Sequence, residues 1–144
     1  MEVTPDPKAS RQVVCVSLIL CDEIYRDEST KKLLLVGLFN QLVVPSFPAI
    51  HAMMCVCFTL TDGEGKYDVR VKIEHETSGQ AVLEAGAPLV IDEPLTLHDV
   101  VLKLRGVEFK EPGKHWLSVS VDGVPLSQRP FFVVGSSELA GGGE

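Results

Sequence analysis

Apolar runs of 7 to 13 residues recur along this chain, with Gly, Pro, Asp or Ser residues between them. This spacing predicts an all-β sandwich or barrel rather than alternating helices and strands. The runs at residues 12–20 and 32–44 are rich in Val, Leu and Ile on both faces, as expected of strands that are covered on two sides. We therefore expect these two strands to be central in their sheets.

The strictest alternation covers residues 67–74. Apolar side chains at Tyr67, Val69, Val71 and Ile73 alternate with charged ones at Asp68, Arg70, Lys72 and Glu74. Successive side chains of a strand point to opposite faces, so one face should be buried and the other wet. Residues 62–65, Asp-Gly-Glu-Gly, tolerate positive φ and predict a hairpin between this strand and the one at residues 52–61.

Two further segments have interrupted strand patterns. Residues 80–91 follow a Thr-Ser-Gly turn and contain Gly86 and Pro88, which limit this strand to an edge or a bulge. Residues 95–109 fit both helical spacing and alternation. We favour a strand there, in which Gly106 is a bulge that turns the following Val and Phe inward.

The last hairpin is predicted by Asp122-Gly123, the residue types that two-residue type I′ turns prefer. The strand after it, residues 124–134, contains Pro125 and Pro130. Because proline has no N–H to donate to a ladder, this strand should lie at an edge, at least in part.

The chain has 144 residues, which is enough for one domain. We predict an antiparallel, immunoglobulin-like β-sandwich of seven or eight strands over residues 12–134. Residues 1–11 and the Gly-rich residues 135–144 are predicted to be flexible segments, because neither can bury enough apolar area to offset the entropy of ordering.

The net charge of the chain limits the classes of partner that it can bind. Thirteen Lys and Arg against twenty Asp and Glu give a formal net charge of −7. A surface of this sign repels phosphate backbones and anionic lipid, so we expect neither nucleic acid nor membrane as a partner. No apolar run approaches the ~20 residues of a membrane span.

Whether the four cysteines form disulfides depends on the compartment in which the protein resides. Residues 1–7, MEVTPDP, lack the basic region and apolar stretch of a secretory signal, so we expect a cytoplasmic protein with reduced thiols. Cys55 and Cys57 share one face of a strand, but a metal site would need further ligands such as His51 or Cys21. Buried thiols are favoured, and no metal or other cofactor is predicted.

Catalysis has no visible constellation in the sequence. The four histidines, His51, His75, His98 and His115, are scattered, and neither G-x-S-x-G nor H-E-x-x-H occurs. The glycines stand in turns and in the C-terminal tail rather than in a phosphate-binding loop. We therefore predict that the protein is not an enzyme.

Candidate partner-binding residues lie in two connections. Tyr25 and Arg26, residue types enriched at binding hot spots, are embedded in the acidic segment 21–31, which could equally be a solvated connection. Phe47 stands between prolines in residues 45–51, where it would form a rigid surface or, as the more common arrangement, a lid on the core.

The consecutive Phe131 and Phe132 are the remaining candidates for binding. On a strand they point to opposite faces, so one fills the core and the other joins Val133 or Val134 in an exposed apolar patch. The sequence leaves open which of the two is buried. Side-chain packing onto an unknown protein partner or a second copy is the expected mode.

Several short motifs together resemble a known family. They are Leu-Cys-Asp-Glu-Ile-Tyr-Arg-Asp at residues 20–27, the segment 33–39 with Gly37, Phe47-Pro48, and the C-terminal stretch from Glu-Pro-Gly at residues 111–113 to Phe132-Val133. The combination resembles an uncharacterised bacterial family of small all-β proteins, known only as a domain of unknown function. The resemblance covers most of residues 12–134. The resemblance implies a sandwich-like fold, and because the family has no assigned activity, cofactor or partner, it implies nothing about the chemistry.

These observations predict a non-enzymatic protein-binding or assembly module of the bacterial cytoplasm. One alternative is a small metal-binding protein or hydrolase whose site is assembled only in three dimensions. Another is a structural homo-oligomer, which the apolar run at residues 131–134 favours.

Overall fold

The computed structural model describes residues 12–137, which form nine strands. The strands are β1 Val14–Arg26, β2 Leu33–Leu38, β3 Gln41–Val44, β4 Ala49–Thr61, β5 Gly65–His75, β6 Ala81–Ile91, β7 His98–Phe109, β8 Gly113–Val121 and β9 Val124–Gly135. The segment predicted to be flexible at residues 1–11 lies outside the described residues, as does the tail after residue 137. Gly135, placed in that tail by the sequence, is the buried last residue of β9.

The strands form two sheets. Sheet A has the order β2-β1-β4-β7, and sheet B has the order β3-β9-β8-β5-β6. Neighbouring strands are antiparallel except β3 and β9, which run parallel. The predicted all-β class is confirmed, whereas the count of seven or eight strands and the purely antiparallel pairing are wrong.

The extra strand arises because residues 32–44 are not one central strand. They divide at Phe39-Asn40 into β2, at the edge of sheet A, and β3, at the edge of sheet B. Gly37 has a φ of 75°, a conformation that interrupts an extended strand shortly before the chain changes sheets. The other strand predicted to be central, β1, does lie between two neighbours.

The predicted hairpin at residues 62–65 is also wrong. β4 belongs to sheet A and β5 to sheet B, so this turn carries the chain across the core. Asp62 has a φ of 71°, and its N–H donates to the carbonyl of Pro94 in the β6–β7 connection, which makes the return crossing. Both strands bury apolar side chains in the same core, so alternation alone could not tell pairing from packing.

The hairpins β5–β6 and β8–β9 are confirmed. Asp122 and Gly123 have φ values of 50° and 82°, as a type I′ turn requires. β6, with its proline, lies at the edge of sheet B. β3 covers only residues 132–135 of β9, so Pro125 and Pro130 lie where that strand has a neighbour on one side.

The main core lies between the sheets. Tyr67, Val69, Val71 and Ile73 are at most 6% exposed, which confirms the predicted alternation in β5. Residues 98–109 are a strand, and Val107 and Phe109 face inward as expected. Gly106 has a φ of 63°, but β4 pairs with β7 on both sides of it without a register shift, so it is not an inserted bulge residue. Within residues 12–137 no helix has the length and apolarity needed to cross a membrane.

Candidate functional site

The hairpin of β1 and β2 extends past the rest of sheet A. β1 pairs with β4 only as far as Cys21, and its residues 23–26 pair with β2 alone. The turn is held by Asp27, whose N–H donates to the carbonyl of Lys32 at 2.9 Å and whose carbonyl accepts from Lys31 at 2.8 Å. The amide N–H of Ser29 also donates to the Asp27 carboxylate, which lowers the pKa of that carboxyl. The loop predicted from the sequence is therefore an ordered hairpin.

One face of this hairpin exposes apolar side chains to solvent. Leu34 is 51% and Val36 49% exposed, and Tyr25, which pairs with Leu34, is 56% exposed. We call these three side chains the hairpin face. Glu23 lies opposite Val36 beside them, and Leu38, which is 66% exposed, lies opposite Cys21. Clustered exposed apolar side chains of this kind mark interaction surfaces more often than scattered single ones do.

The free side of β2 is an open sheet edge. Within the described residues β2 pairs with β1 alone, and its sequence LLLVGL contains neither a charge nor a proline. The other edge strands are protected: β3 has four residues, β6 contains Pro88, and β7 carries four charged side chains and lies against β6. Native proteins protect edge strands against pairing with other chains by keeping them short or by placing proline or charged residues on them. Of these protections, β2 has only its modest length.

The opposite face of the hairpin covers three cysteines. Cys21 and Cys55 lie directly opposite each other on β1 and β4, and Cys57 is two residues further along. All three are at most 4% exposed, beneath Ile24, Leu33 and Leu35. The cluster lies on the outer face of sheet A, separate from the main core, and this second apolar layer fixes the hairpin against the sheet.

These thiols are in their neutral form. Burial, followed by the proximity of Cys55 and Cys57, raises the pKa of Cys21 to about 11. The Cys55 thiol donates to the carbonyl of Asp22 at 3.6 Å, and burial raises its pKa as well. Across the part of the chain that the structure describes, no three His, Cys, Asp or Glu side chains are grouped so that they could hold a metal ion.

Two of the four histidines meet in the structure. His75 on β5 pairs with His115 on β8, and their rings contact edge to face with centroids 5.0 Å apart. The His115 ring also stacks on Phe131 and is fully buried, while His75 is 8% exposed. Burial, followed by the neighbouring His75, lowers the pKa of His115, and the Gly113 carbonyl and Glu111 act in the opposite direction.

The hydrogen bonds assign the protons of both rings. Nε2 of His75 donates to the carbonyl of Pro112 at 2.9 Å, so its Nδ1 is the acceptor for the Ser78 N–H at 3.2 Å. Nδ1 of His115 donates to the carbonyl of Gly113 at 3.0 Å. Nε2 of His115 therefore holds a lone pair, and it is buried without a hydrogen-bond partner.

Both rings line a pocket of about 130 Å³, to which the ends of β5, β6, β7 and β8 contribute. Its remaining lining comes from Gln80, Ala81, Val82, Glu108, Lys110 and Glu111. The hydroxyl of Ser78 lies 3.2 Å from Nδ1 of His75, but it also accepts the N–H of Gln80, so it belongs to the β5–β6 turn. We name this space the histidine pocket.

The residues predicted from the sequence have different environments. Tyr25 and Arg26 are exposed on the hairpin, where Nη1 of Arg26 donates to the carbonyl of Lys31 at 2.8 Å. Phe47 is half-buried and packs against the main core. Phe131 is fully buried in that core, so it is the member of the Phe131-Phe132 pair that fills the core, and its side chain offers no surface to a partner. Phe132 is the exposed one, at 44%.

The structure does not gather these residues into one site. Tyr25 and Arg26 belong to sheet A, whereas Phe132 lies on sheet B between Gln41 and Lys114. Sequence reasoning missed the apolar edge of β2, because residues 32–44 read as one covered strand. It also missed the histidine pair, although His75 continues the inward alternation of β5 and His115 that of β8.

Comparison with known proteins gives the fold and the family. No curated protein matches the chain. Part of an alkylpurine DNA glycosylase, AlkC of Pseudomonas fluorescens, is similar in fold with a TM-score of 0.51 and 13% identity, over 85% of this chain and 30% of that one. A β-glucosidase from Listeria innocua matches with a TM-score of 0.46 and 15% identity, over 87% of this chain and 16% of that one.

This chain thus spans less than a third of the length of those two solved proteins, and at such identities the likeness concerns the fold alone. The sequence comparison is more specific, since it matches a single family across both sheets, over residues 16–134. The resemblance seen in the short motifs is thereby confirmed, and the chain belongs to the family of unknown function DUF6941.

Proposed function

We propose that the chain is a non-enzymatic protein-binding or assembly module of the bacterial cytoplasm, and that β2 is the edge to which a partner adds a strand. The open, uncharged edge of β2 carries this proposal. Strand addition draws affinity from main-chain hydrogen bonds and specificity from alternate side chains. The alternate side chains Leu34 and Val36 would supply that specificity.

We propose further that the scaffold is an immunoglobulin-like sandwich. The order β1-β4-β7 facing β9-β8-β5-β6 corresponds to the strand order A-B-E facing G-F-C-C′ of that fold. In this correspondence β2 is an addition beside the first strand. Because β2 adds an open apolar edge to the sheet, we infer that this strand serves to bind a partner rather than to fill the core.

The test is affinity capture from the native host with three tagged baits: the wild type, Val36→Lys and Val90→Lys. Val36 and Val90 are both 49% exposed, and both lie on edge strands, β2 and β6. A lysine on an edge opposes strand addition. Proteins retained by the wild type and Val90→Lys but lost with Val36→Lys, including untagged copies of this chain, support the proposal. Retention that is equal for all three baits overturns it.

A second candidate function is the binding of a small polar ligand in the histidine pocket. The unpartnered Nε2 lone pair of His115 favours it, because an acceptor buried without a donor is costly. The lining carboxylates of Glu108 and Glu111 are acceptors too, so the fitting ligand is a hydrogen-bond donor such as a small protonated amine. This candidate differs from the metal-binding protein or hydrolase that the sequence leaves as an alternative, although its residues too are brought together only in three dimensions.

Imidazole nitrogen resonances of ¹⁵N-labelled protein, titrated with methylammonium, test this candidate. Saturable shifts at Nε2 of His115 that vanish in Glu111→Gln are the expected result. A pocket that holds water alone would leave the His115 resonances unchanged at all concentrations, which would remove the candidate.

A further inference from the structure

We propose that the occupant of the β2 edge is a second copy of this chain, paired antiparallel about a two-fold axis. This inference rests on the proposed function and names its partner. Two copies would join their four-stranded sheets A into one continuous eight-stranded sheet. A two-fold interface uses the same patch on both subunits, so the patch must complement itself.

The hairpin has the charge pattern that such self-pairing needs. Lys32 continues the ladder at one end of β2, because its carbonyl accepts the N–H of Asp27, and Glu23 pairs with Val36 toward the other end. Alternation places both side chains on the same face as Leu34 and Val36. Antiparallel pairing therefore brings Lys32 of each copy beside Glu23 of the other.

Lys32 and Glu23 are too far apart to form an ion pair within one copy. Lys32 is four residues from Val36, the partner of Glu23, and four residues along a strand span ~13 Å. Across the junction the two residues would be about two strand spacings apart, ~10 Å between Cα atoms, which a lysine and a glutamate side chain together can bridge. Complementary charges at both ends fix the antiparallel direction.

The apolar side chains complement themselves as well. The register that brings Lys32 of one copy opposite Val36 of the other places the two Leu34 side chains opposite each other, with Val36 diagonal to Leu34 of the other copy, and such aliphatic neighbours on one sheet face stabilise strand pairing. The chain carries a net charge of −7, which opposes association in general. The edge of β2 is the exception, since no charge occurs between Leu33 and Leu38.

Sedimentation equilibrium of the full, untagged chain across a concentration series is the first measurement. We expect a reversible monomer–dimer equilibrium. Val36→Lys should raise the dissociation constant at least tenfold, because a lysine at this position would lie opposite Lys32 of the other copy at both ends of the junction. Val90→Lys, equally exposed on β6, should leave the constant within about twofold.

A charge exchange tests the pairing itself. Lys32→Glu and Glu23→Lys should each weaken the dimer severalfold, because each places like charges together at both ends of the junction. The double variant should restore the wild-type constant, since the two exchanged side chains would again carry opposite charges across the junction. Thermal melts of the same variants show that each is folded, and rescue by the double variant cannot come from misfolding.

A monomer at every concentration overturns this inference, and so does a dimer that Val36→Lys leaves intact. Either result leaves the proposed function to be judged by its own test. If the wild type is monomeric yet captures other proteins in a Val36-dependent manner, the edge binds a heterologous strand. If neither dimer nor Val36-dependent capture occurs, both proposals fail.

Discussion

His75 lies directly opposite His115 across the β5–β8 ladder, with the two ring centroids 5.0 Å apart and the ring planes at 78°. His75 is locked by the β5–β6 turn and by the Pro112 carbonyl. His115 is stacked on Phe131 in the core. The pair therefore joins the main core to the histidine pocket. Burial lowers the pKa of His115, so the protonation of this ring is coupled to folding.

The first prediction is that stability falls when the solution is acidified below the ordinary histidine pKa. Burial lowers the pKa of His115 in the folded chain below its unfolded value of 6.5. Its neutral form therefore stabilises the fold fully above about pH 6.5, and this contribution is lost as the pH falls through the folded pKa. The free energy of unfolding in urea should decrease from pH 7.5 to pH 5.

His115→Asn is the control, because an asparagine amide can donate to the Gly113 carbonyl and does not titrate in this range. The variant should lose roughly 1–3 kcal/mol at pH 7.5 from the missing ring contacts. Its stability should depend on pH less steeply than that of the wild type. Equal slopes for the two proteins would remove His115 as the cause.

The second prediction concerns thiol reactivity. Burial raises the pKa of all four thiols, but Cys15 is only half-buried, whereas the cluster cysteines Cys21, Cys55 and Cys57 are buried and closed to reagents. Because the thiolate is the nucleophile, iodoacetamide at pH 8 should modify Cys15 first and the cluster only on unfolding. Peptide mass spectrometry gives the order of labelling. Denatured, unreduced protein should then show four free thiols, and fewer would contradict the predicted reduced state.

The third prediction tests the register of β5. Val71 is fully buried, and Arg70 is half exposed in ion pairs with Asp68 at 3.0 Å and Glu84 at 3.9 Å. Val71→Asp buries an unpaired charge and should cost about 3–5 kcal/mol. Arg70→Gln removes only solvent-exposed pairs and should leave the urea midpoint close to that of the wild type. Similar urea midpoints for the two variants would contradict the observed register.

The sequence predicts features that depend on neighbours along the chain. The alternation in β5, the Asp122-Gly123 turn and the edge position of β6 all follow from local rules of side-chain direction, backbone φ and proline chemistry. At residues 98–109, where helical spacing and alternation compete, the favoured strand is correct.

Features that depend on distant pairing could not be predicted. Two successive apolar strands bury their side chains in one core whether they pair in one sheet or face each other from two sheets. The sequence therefore predicts a hairpin where β4 and β5 lie in different sheets. His75 and His115 meet through pairing across 40 residues. The edge of β2 is open because, among residues 12–137, no second strand pairs with it, and a single sequence does not record which strands pair.

The last prediction concerns the bend of the β1–β2 hairpin, where Gly37 lies beneath Asp22. Gly37 has a φ of 75°, and a Cβ there would come within 2.8 Å of Asp22 Cγ and 3.0 Å of Asp22 Cβ. Gly79 is a matched control, because its φ is 70° and a Cβ would meet nothing within 4 Å. Gly79→Ala should therefore cost only the left-handed backbone strain, about 1–2 kcal/mol.

Gly37→Ala should cost more than Gly79→Ala, by about 1 kcal/mol, because the Asp22 side chain must also leave its rotamer. Adding Asp22→Ala to Gly37→Ala should remove that excess and bring the cost close to that of Gly79→Ala. Urea unfolding of the four variants, with Asp22→Ala alone completing a double-mutant cycle, measures the coupling directly. A coupling near zero would mean that the Asp22 side chain does not limit the space at Gly37, and would contradict the steric explanation.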